Sequence, residues 1–489
     1  MGLYPSVSPA AAPEPANAAP RLARYVGLDV HKKRVQACVL DPTGRKVHGE
    51  NFPCTRAGLA HFAERWLGPQ SACVLEATSH TWAICEVLVA YGGQLRVSNP
   101  LQTKAIAQAK VKTDQIDAQV LAQLLRCDFL PDVWIVDEAT RRLRQAVGRR
   151  TGLVQQRTAV KNRIHSTLAA ELIPVPTQRL FSGPGLDWLQ AADLEPRTRQ
   201  YLDSDLRLLA ALEQEIAGWD AQWAAAAYRQ DQAKLLMTLP GVDYAVALTL
   251  LAALGDIHRF PDGDHAAGYL GLAPITHQSG EHCYHGPITK HGNRHARWML
   301  IEAAQHLDKH PGPLGAFFRR LARKKNRNVA VAAAARKLVT IAWLMLKNNE
   351  PYRYAQPATL QAKLARLRIR AGGAKRKTGT AHGQGRHPHY GTGLRMRRIA
   401  PLQEVCQQEG LPEPAPLEQL PAGEQRMIRE GQLWKTVSAA RTEQFRPKAL
   451  GAGHQDAPVP PPNPHPFPLS SLEAKGRRHH KRTDTPAAQ

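Results

Sequence analysis

Acidic residues are in short supply in this chain. Its 489 residues hold 41 Asp and Glu against 65 Lys and Arg, a formal charge of +24, with a pI near 10.0. Such an imbalance implies a polyanionic partner, and nucleic acid is the first candidate. Long apolar runs are missing too: none approaches the length of a bilayer-spanning helix, so no membrane partner is expected. The seven cysteines (Cys38, Cys54, Cys73, Cys85, Cys127, Cys283, Cys406) are odd in number and scattered. They argue against a disulfide framework and fit a reducing compartment, the cytoplasm. Met1–Pro20 is rich in Ala and Pro and lacks a basic stretch followed by an apolar core, so no secretory leader is expected there. What the chain does have is 43% hydrophobic residues, enough for sizeable cores, and a length that suggests two or three domains.

Periodicity divides the chain. Residues 1–23 are expected to be a disordered extension. Tyr25–Val30 reads as a buried strand, Arg34–Leu40 as its antiparallel partner, and Lys46–Phe52 as a third strand after the turn Asp41-Pro42-Thr43-Gly44. A helix (Ala57–Leu67), a strand (Ala72–Glu76), a helix (Thr81–Tyr91) and a strand (Leu95–Ser98) follow. Three strands and then alternating helix and strand predict a mixed α/β domain over 24–137.

The most informative stretch is Lys112-Thr113-Asp114-Gln115-Ile116-Asp117-Ala118. It opens a helix to Arg126 in which Ile116, Val120, Leu121, Leu124 and Leu125 recur at helical spacing. Asp114 and Asp117, three apart, share a face. Two like charges held together call for a cation, and Mg²⁺ or Mn²⁺ would take carboxylate oxygens there. The plainer alternative is a helix cap, with early acids complementing the helix dipole. Asp29 and Glu76 stand inside or at the end of apolar strands, where a lone carboxylate is costly. A strand-end acid can also be simply solvated. Acids from two strands and one helix nevertheless match a divalent-metal phosphodiester site.

Gly27-Leu28-Asp29-Val30-His31-Lys32, Leu75-Glu76-Ala77-Thr78 and the Lys112–Ala118 motif resemble the DEDD motifs of a RuvC-like, RNase-H-fold domain. Transposases of the insertion-sequence one-ten family, and the related Piv-type DNA invertases, carry that domain at their N-terminus. From Glu138 to Glu171 no acid intervenes while Arg141, Arg142, Arg144, Arg149, Arg150, Arg157, Lys161 and Arg163 accumulate beside an apolar stripe. With a second helix over 198–227 this predicts a basic helical or coiled-coil arm (138–232), either solvated or contacting nucleic acid.

Leu239-Pro240-Gly241-Val242 resembles a helix-hairpin-helix turn, with Asp243 in place of its usual second Gly. The segment from Leu239 to Leu300 resembles the C-terminal transposase domain of the same family (233–348 here). That resemblance makes Ser279 the nucleophile toward DNA; by chemistry alone it is an exposed loop serine before Gly280. His277, His282, Cys283, His285, His291 and His295 crowd this region, but without paired spacing for zinc. Residues 349–489, basic and Pro-rich, are expected to form a largely disordered tail that binds nucleic acid by charge.

The expected fold is therefore α/β plus all-α: a mixed-sheet domain, an arm and a mostly helical domain with a tail. The resemblance implies a DNA transposase using Mg²⁺ or Mn²⁺ at Asp29, Glu76, Asp114 and Asp117, with Ser279 forming a covalent phosphoserine–DNA intermediate. Lys112, Arg149, Arg150, Lys161, Lys290, Arg294 and Arg297 are the candidate nucleic-acid contacts. The resemblance also implies double-stranded DNA as partner, a dimer or tetramer with active sites shared between subunits, and a bacterial cytoplasmic, nucleoid-associated location. In some members a structured non-coding RNA is the guide. A water-using nuclease and a non-enzymatic nucleic-acid binder are the alternatives.

Overall fold

The computed structural model describes residues 22–107, 113–176, 179–280, 282–373 and 396–447. The chain divides into two compact units, Met1–Arg142 and Leu143–Gln489.

In the first unit β1 (Arg24–Val30), β2 (Arg34–Leu40) and β3 (Lys46–Pro53) form an antiparallel meander. After α1 (Arg56–Trp66), β4 (Ser71–Glu76) adds parallel to β1 on its free side. Then α2 (Thr81–Val89) leads to β5 (Gln94–Ser98), parallel to β4. After α3 (Pro100–Ile106) and α4 (Asp114–Arg126), the short β6 (Asp132–Val133) closes the six-stranded sheet antiparallel to β5. The strand order is β3-β2-β1-β4-β5-β6.

Alternation along the strands makes two faces. Val26, Leu28, Val30, Cys73 and Leu75 pack with Leu59 and Phe62 of α1 and Ile84 and Leu88 of α2. On the opposite face Ala72 and Val74 pack with Leu121 and Leu125 of α4, and Cys38 and Leu40 with Ala118 and Ala122. Gly27 allows this second face to be covered so closely. A Cβ there would lie 2.1 Å from the Ala118 carbonyl oxygen and 2.7 Å from the Ala122 nitrogen. The helix rests backbone to backbone on β1.

The second unit is mostly helical. A long helix, α5 (Glu138–Ala170), starts in the first unit and continues into the second; α6 (Gly183–Ala191) and α7 (Pro196–Arg229) follow. Leu153, Val160, Ile164 and Leu168 of α5 interdigitate with Leu202, Leu209, Leu212 and Ile216 of α7. The body then comprises α8 (Asp231–Leu236), α9 (Tyr244–Leu254), α10 (Gly263–Tyr269), the hairpin β7 (Pro274–Ser279) and β8 (His282–Ile288), and α11 (Arg294–Gln305). Next come α12 (Pro313–Lys324), α13 (Arg327–Asn348) and α14 (Pro357–Arg370). Last are β9 (Met396–Ile399), α15 (Leu402–Gln408), α16 (Ala422–Glu430), α17 (Trp434–Ala439) and β10 (Gln444–Pro447), with β9 and β10 paired.

Two expectations change here. By length and composition α13 could cross a bilayer, whereas the sequence suggested no such run; Arg336 and Lys337 interrupt it to the eye. Its Ala334, Leu338 and Ala342 are wholly buried in the protein core. The segment beyond residue 349 was expected to be largely disordered, yet its described parts are folded. Leu360, Leu364 and Leu367, then Leu402, Val405 and Cys406, Ile428 and Val437 join the same core. Its basic residues are partly spent inside the fold. Lys363 Nζ donates to the carbonyls of Met237 (3.0 Å), Leu239 (2.6 Å) and Val242 (2.9 Å), and Arg368 pairs with the buried Glu409 at 3.1 Å. Residues 1–21, 374–395 and 448–489 lie outside the described residues.

Substituting Gly27→Val would force a branched side chain against the α4 backbone. Overpacking of this kind should destabilise the protein by about 3 kcal/mol or more, read as a lower denaturant midpoint in chemical unfolding. An unchanged midpoint would show that α4 is free to move off the sheet.

Candidate functional site

The faces of the sheet determine where the acids go. Leu28 of β1 pairs with Leu75 of β4, so Asp29 and Glu76 occupy the next positions on adjacent parallel strands. Both fall on the face that α4 covers, opposite Leu28 and Leu75. Helix α4 begins over this end of the sheet: Thr113 is its N-cap, accepting from the Ile116 amide, and Asp114 and Asp117 lie in its first turn. Asp114 is one turn ahead of Ala118, which sits against Gly27.

Three side chains meet there. His31 Nε2 is 3.2 Å from Asp29 Oδ2 and 3.3 Å from Asp114 Oδ1, and the three ligand atoms lie within 4.8 Å of one another. Asp29 is mostly covered, whereas the Asp114 and His31 side chains are half exposed. Burial raises the Asp29 pKa and is the largest influence; His31 opposes it, and the charges of Asp114 and Asp117 push it further up. Asp29 thus feels both helix acids, and a site open on one side is short of positive charge. The donor set of carboxylates fits a hard divalent ion. Glu76 and Asp117 are half-buried on the same face and engaged in other interactions.

His31 is the residue that sequence reasoning passed over. It lies two residues beyond Asp29, so the strand period carries both to the same side. Its amide donates to the Arg34 carbonyl at 2.9 Å across the β1–β2 turn, which fixes its place. The two-residue spacing was the available signal.

Ser279 is the last residue of β7, exposed, paired in register with His282. Gly280 follows at φ +57° with open space where a Cβ would be. Among the described residues no histidine or carboxylate hydrogen-bonds the Ser279 hydroxyl. Its neighbours are engaged elsewhere: His277 stacks on Tyr284 at 4.8 Å, and His285 shares a hydrogen bond with Thr276 at 3.0 Å. The Leu239–Val242 turn is packed internally, since a Cβ on Gly241 would meet the Ala303 carbonyl oxygen at 2.4 Å. That close approach is to α11, and Asp243 caps α9 by accepting from Val246.

The candidate cations separate into two groups. Arg149, Lys290 and Arg294 are exposed. Arg150, Lys161 and Arg297 have partners inside the protein. Arg150 pairs with Asp220 of α7 at 2.6 Å and lies over the Trp223 ring. Lys161 pairs with Glu213 at 3.0 Å, beside Arg157 on the same acid, and Arg163 pairs with Asp205. The acids that α5 lacks are supplied by α7, so the expected excess of charge along the arm is largely neutralised. Arg297 is buried and donates to the Leu270 (3.0 Å) and His291 (2.8 Å) carbonyls, holding the base of the β7–β8 hairpin. Lys112 lies outside the described residues.

A double-mutant cycle on Arg150→Ala and Asp220→Ala should return a coupling of about 1 kcal/mol in unfolding free energy. Additive effects, together with a reduced salt slope of DNA binding for Arg150→Ala alone, would instead make Arg150 a phosphate contact.

Comparison with known proteins finds two family models along the chain. Residues 26–172 match the DEDD transposase family model, and residues 233–319 match the model described as Transposase IS116/IS110/IS902 family. A transposase for insertion sequence element IS1111A from Coxiella burnetii is 25% identical over 338 residues, 68% of this chain and 91% of that protein. An insertion element IS110 protein of Streptomyces coelicolor is 26% identical, covering 69% of this chain and 97% of the relative. The pilin gene-inverting protein of Moraxella bovis is 25% identical, covering 67% and 97%. With both family matches in the order that the motifs stand along the sequence, the chain belongs to the IS110 family of transposases.

Proposed function

We propose that this transposase cuts and rejoins double-stranded DNA by serine attack assisted by a divalent metal, with its first unit acting as a RuvC-like, RNase-H-type domain. The observation that carries the reading is the convergence of Asp29 and Asp114, which come from segments far apart in sequence, with Asp114 and Asp117 adding to the rise that burial causes in the Asp29 pKa. The mixed sheet with Asp29 on its central β1 supports the domain assignment. Asp29 and Asp114, with Glu76 and Asp117 on the same face, would hold Mg²⁺ or Mn²⁺, which when bound polarises the scissile phosphate and neutralises its charge.

Ser279 supplies the nucleophile. Its Oγ–phosphorus bond forms as the bond to the departing sugar oxygen breaks; the hydroxyl proton leaves and the departing oxygen takes up a proton. The energy of the phosphodiester is kept in the phosphoserine for the rejoining step. An exposed hairpin tip with open space at Gly280 lets backbone approach the duplex. Exposed Lys290 and Arg294 are the cations for the phosphate oxygens. No hydrogen-bonded base stands at Ser279 among the described residues, so its activation depends on groups brought to it. The family resemblance suggests a site shared between subunits of a dimer or tetramer, in a bacterial cytoplasm on the nucleoid. A structured non-coding RNA is the guide that the family resemblance suggests.

Ser279→Ala should bind DNA as the unaltered protein does and yield neither a protein–DNA adduct on denaturing electrophoresis nor recombinant product. Cleavage at the unaltered rate by Ser279→Ala would make water the nucleophile and the protein a nuclease.

A further inference from the structure

We propose that His31 is a ligand of the divalent-metal site and tilts its preference from Mg²⁺ toward Mn²⁺. The inference rests on the metal reading above and adds a residue that the four-acid motif does not contain.

His31 follows the last residue of β1, and its Nε2 sits between the two carboxylates at 3.2 and 3.3 Å. An octahedral ion with bonds of about 2.1 Å sets neighbouring ligand atoms about 3 Å apart. The two gaps are close to that edge length, and the Asp29, His31 and Asp114 atoms all lie within 4.8 Å of one another. The imidazole is 54% exposed, so an ion reaches it from solvent. Its turn is fixed by the His31–Arg34 backbone hydrogen bond, so the ring needs no rearrangement of the strand to present a nitrogen.

Chemistry then gives the consequence. Mg²⁺ is hard, binds oxygen and keeps its waters. Imidazole nitrogen suits transition ions, and affinity for mixed nitrogen and oxygen sites rises along the first row from Mn²⁺. A four-acid site offers oxygen alone and gives Mn²⁺ little advantage. One nitrogen among the carboxylates changes that ratio. If His31 instead only hydrogen-bonds the two acids, it touches both ions through the same carboxylates, and its loss shifts both affinities alike.

The full chain would be titrated with Mg²⁺ and with Mn²⁺ by calorimetry, as the unaltered protein, as His31→Ala and as Asp114→Ala. Bound Mn²⁺ would also be examined by electron spin echo spectroscopy for coupling to ¹⁴N. The expected result is a loss of Mn²⁺ affinity of about tenfold or more in His31→Ala, in the range ascribed to ligand-sphere changes. Mg²⁺ affinity should change far less, and a ¹⁴N signal should be present in the unaltered protein and absent from the variant. Asp114→Ala should weaken both ions. Parallel losses of both ions in His31→Ala, or bound Mn²⁺ without ¹⁴N coupling, would overturn the role of His31 while leaving the metal site standing. An unaltered protein that binds neither ion would overturn the metal reading itself. Circular dichroism of His31→Ala that matches the unaltered protein assigns any loss to the ligand rather than to the fold.

Discussion

The candidate metal site depends on a close approach of backbones: α4 lying directly on β1 at Gly27. With 2.1 Å between a would-be Cβ and the Ala118 carbonyl oxygen, only glycine allows the helix to sit so low. One helical turn toward the N-terminus from Ala118 is Asp114, so the depth of that contact sets how near Asp114 comes to Asp29. A raised helix would carry its first-turn acids away from the strand acids. The like charges are then held near one another by the fold; burial is the main cause of the raised Asp29 pKa, His31 opposes it, and Asp114 and Asp117 add to it. Such a site is prepared for a cation before one arrives.

The second unit follows a different rule: positive charge is used to stabilise turns. Lys363 satisfies three carbonyls around the Leu239–Val242 turn, and burial lowers its pKa to about 8. Arg297 does the same for the carbonyls of Leu270 and His291 below the β7–β8 hairpin. Arg150, Arg157, Lys161 and Arg163 bind α5 to α7. The net charge of +24 already counts the α7 acids against their partners, whereas Lys363 and Arg297, bonded to carbonyls, are positive charges held inside the fold. Arg149, Lys290 and Arg294 are exposed.

Much of the first unit was legible because its signals are local. β2 and α4 fall at the expected residues, Arg34–Leu40 and Asp114–Arg126, since turn chemistry and a capping Thr113 mark their ends. The two long helices were legible from their leucine and isoleucine spacing. What was missed depends on partners distant in sequence. The basic run of α5 looked unbalanced because Asp205, Glu213 and Asp220 lie on another helix. Arg368 looked like tail until Glu409, 41 residues on, stood beside it. Arg297 looked like a phosphate ligand because burial is invisible in a short motif. His31 was overlooked for another reason: a motif defined by four acids draws attention away from the neighbour that points the same way.

The account stands or falls on whether the acids of α4 and of the sheet hold one ion. Diffraction from crystals grown with Mn²⁺, with data collected at the manganese absorption edge, reads this directly through the anomalous difference map. The account predicts a peak bounded by the Asp29 and Asp114 carboxylates on the sheet face that α4 covers, within bonding distance of about 2.0–2.4 Å. A map with no peak there, or with Mn²⁺ bound only elsewhere on the chain, would contradict it.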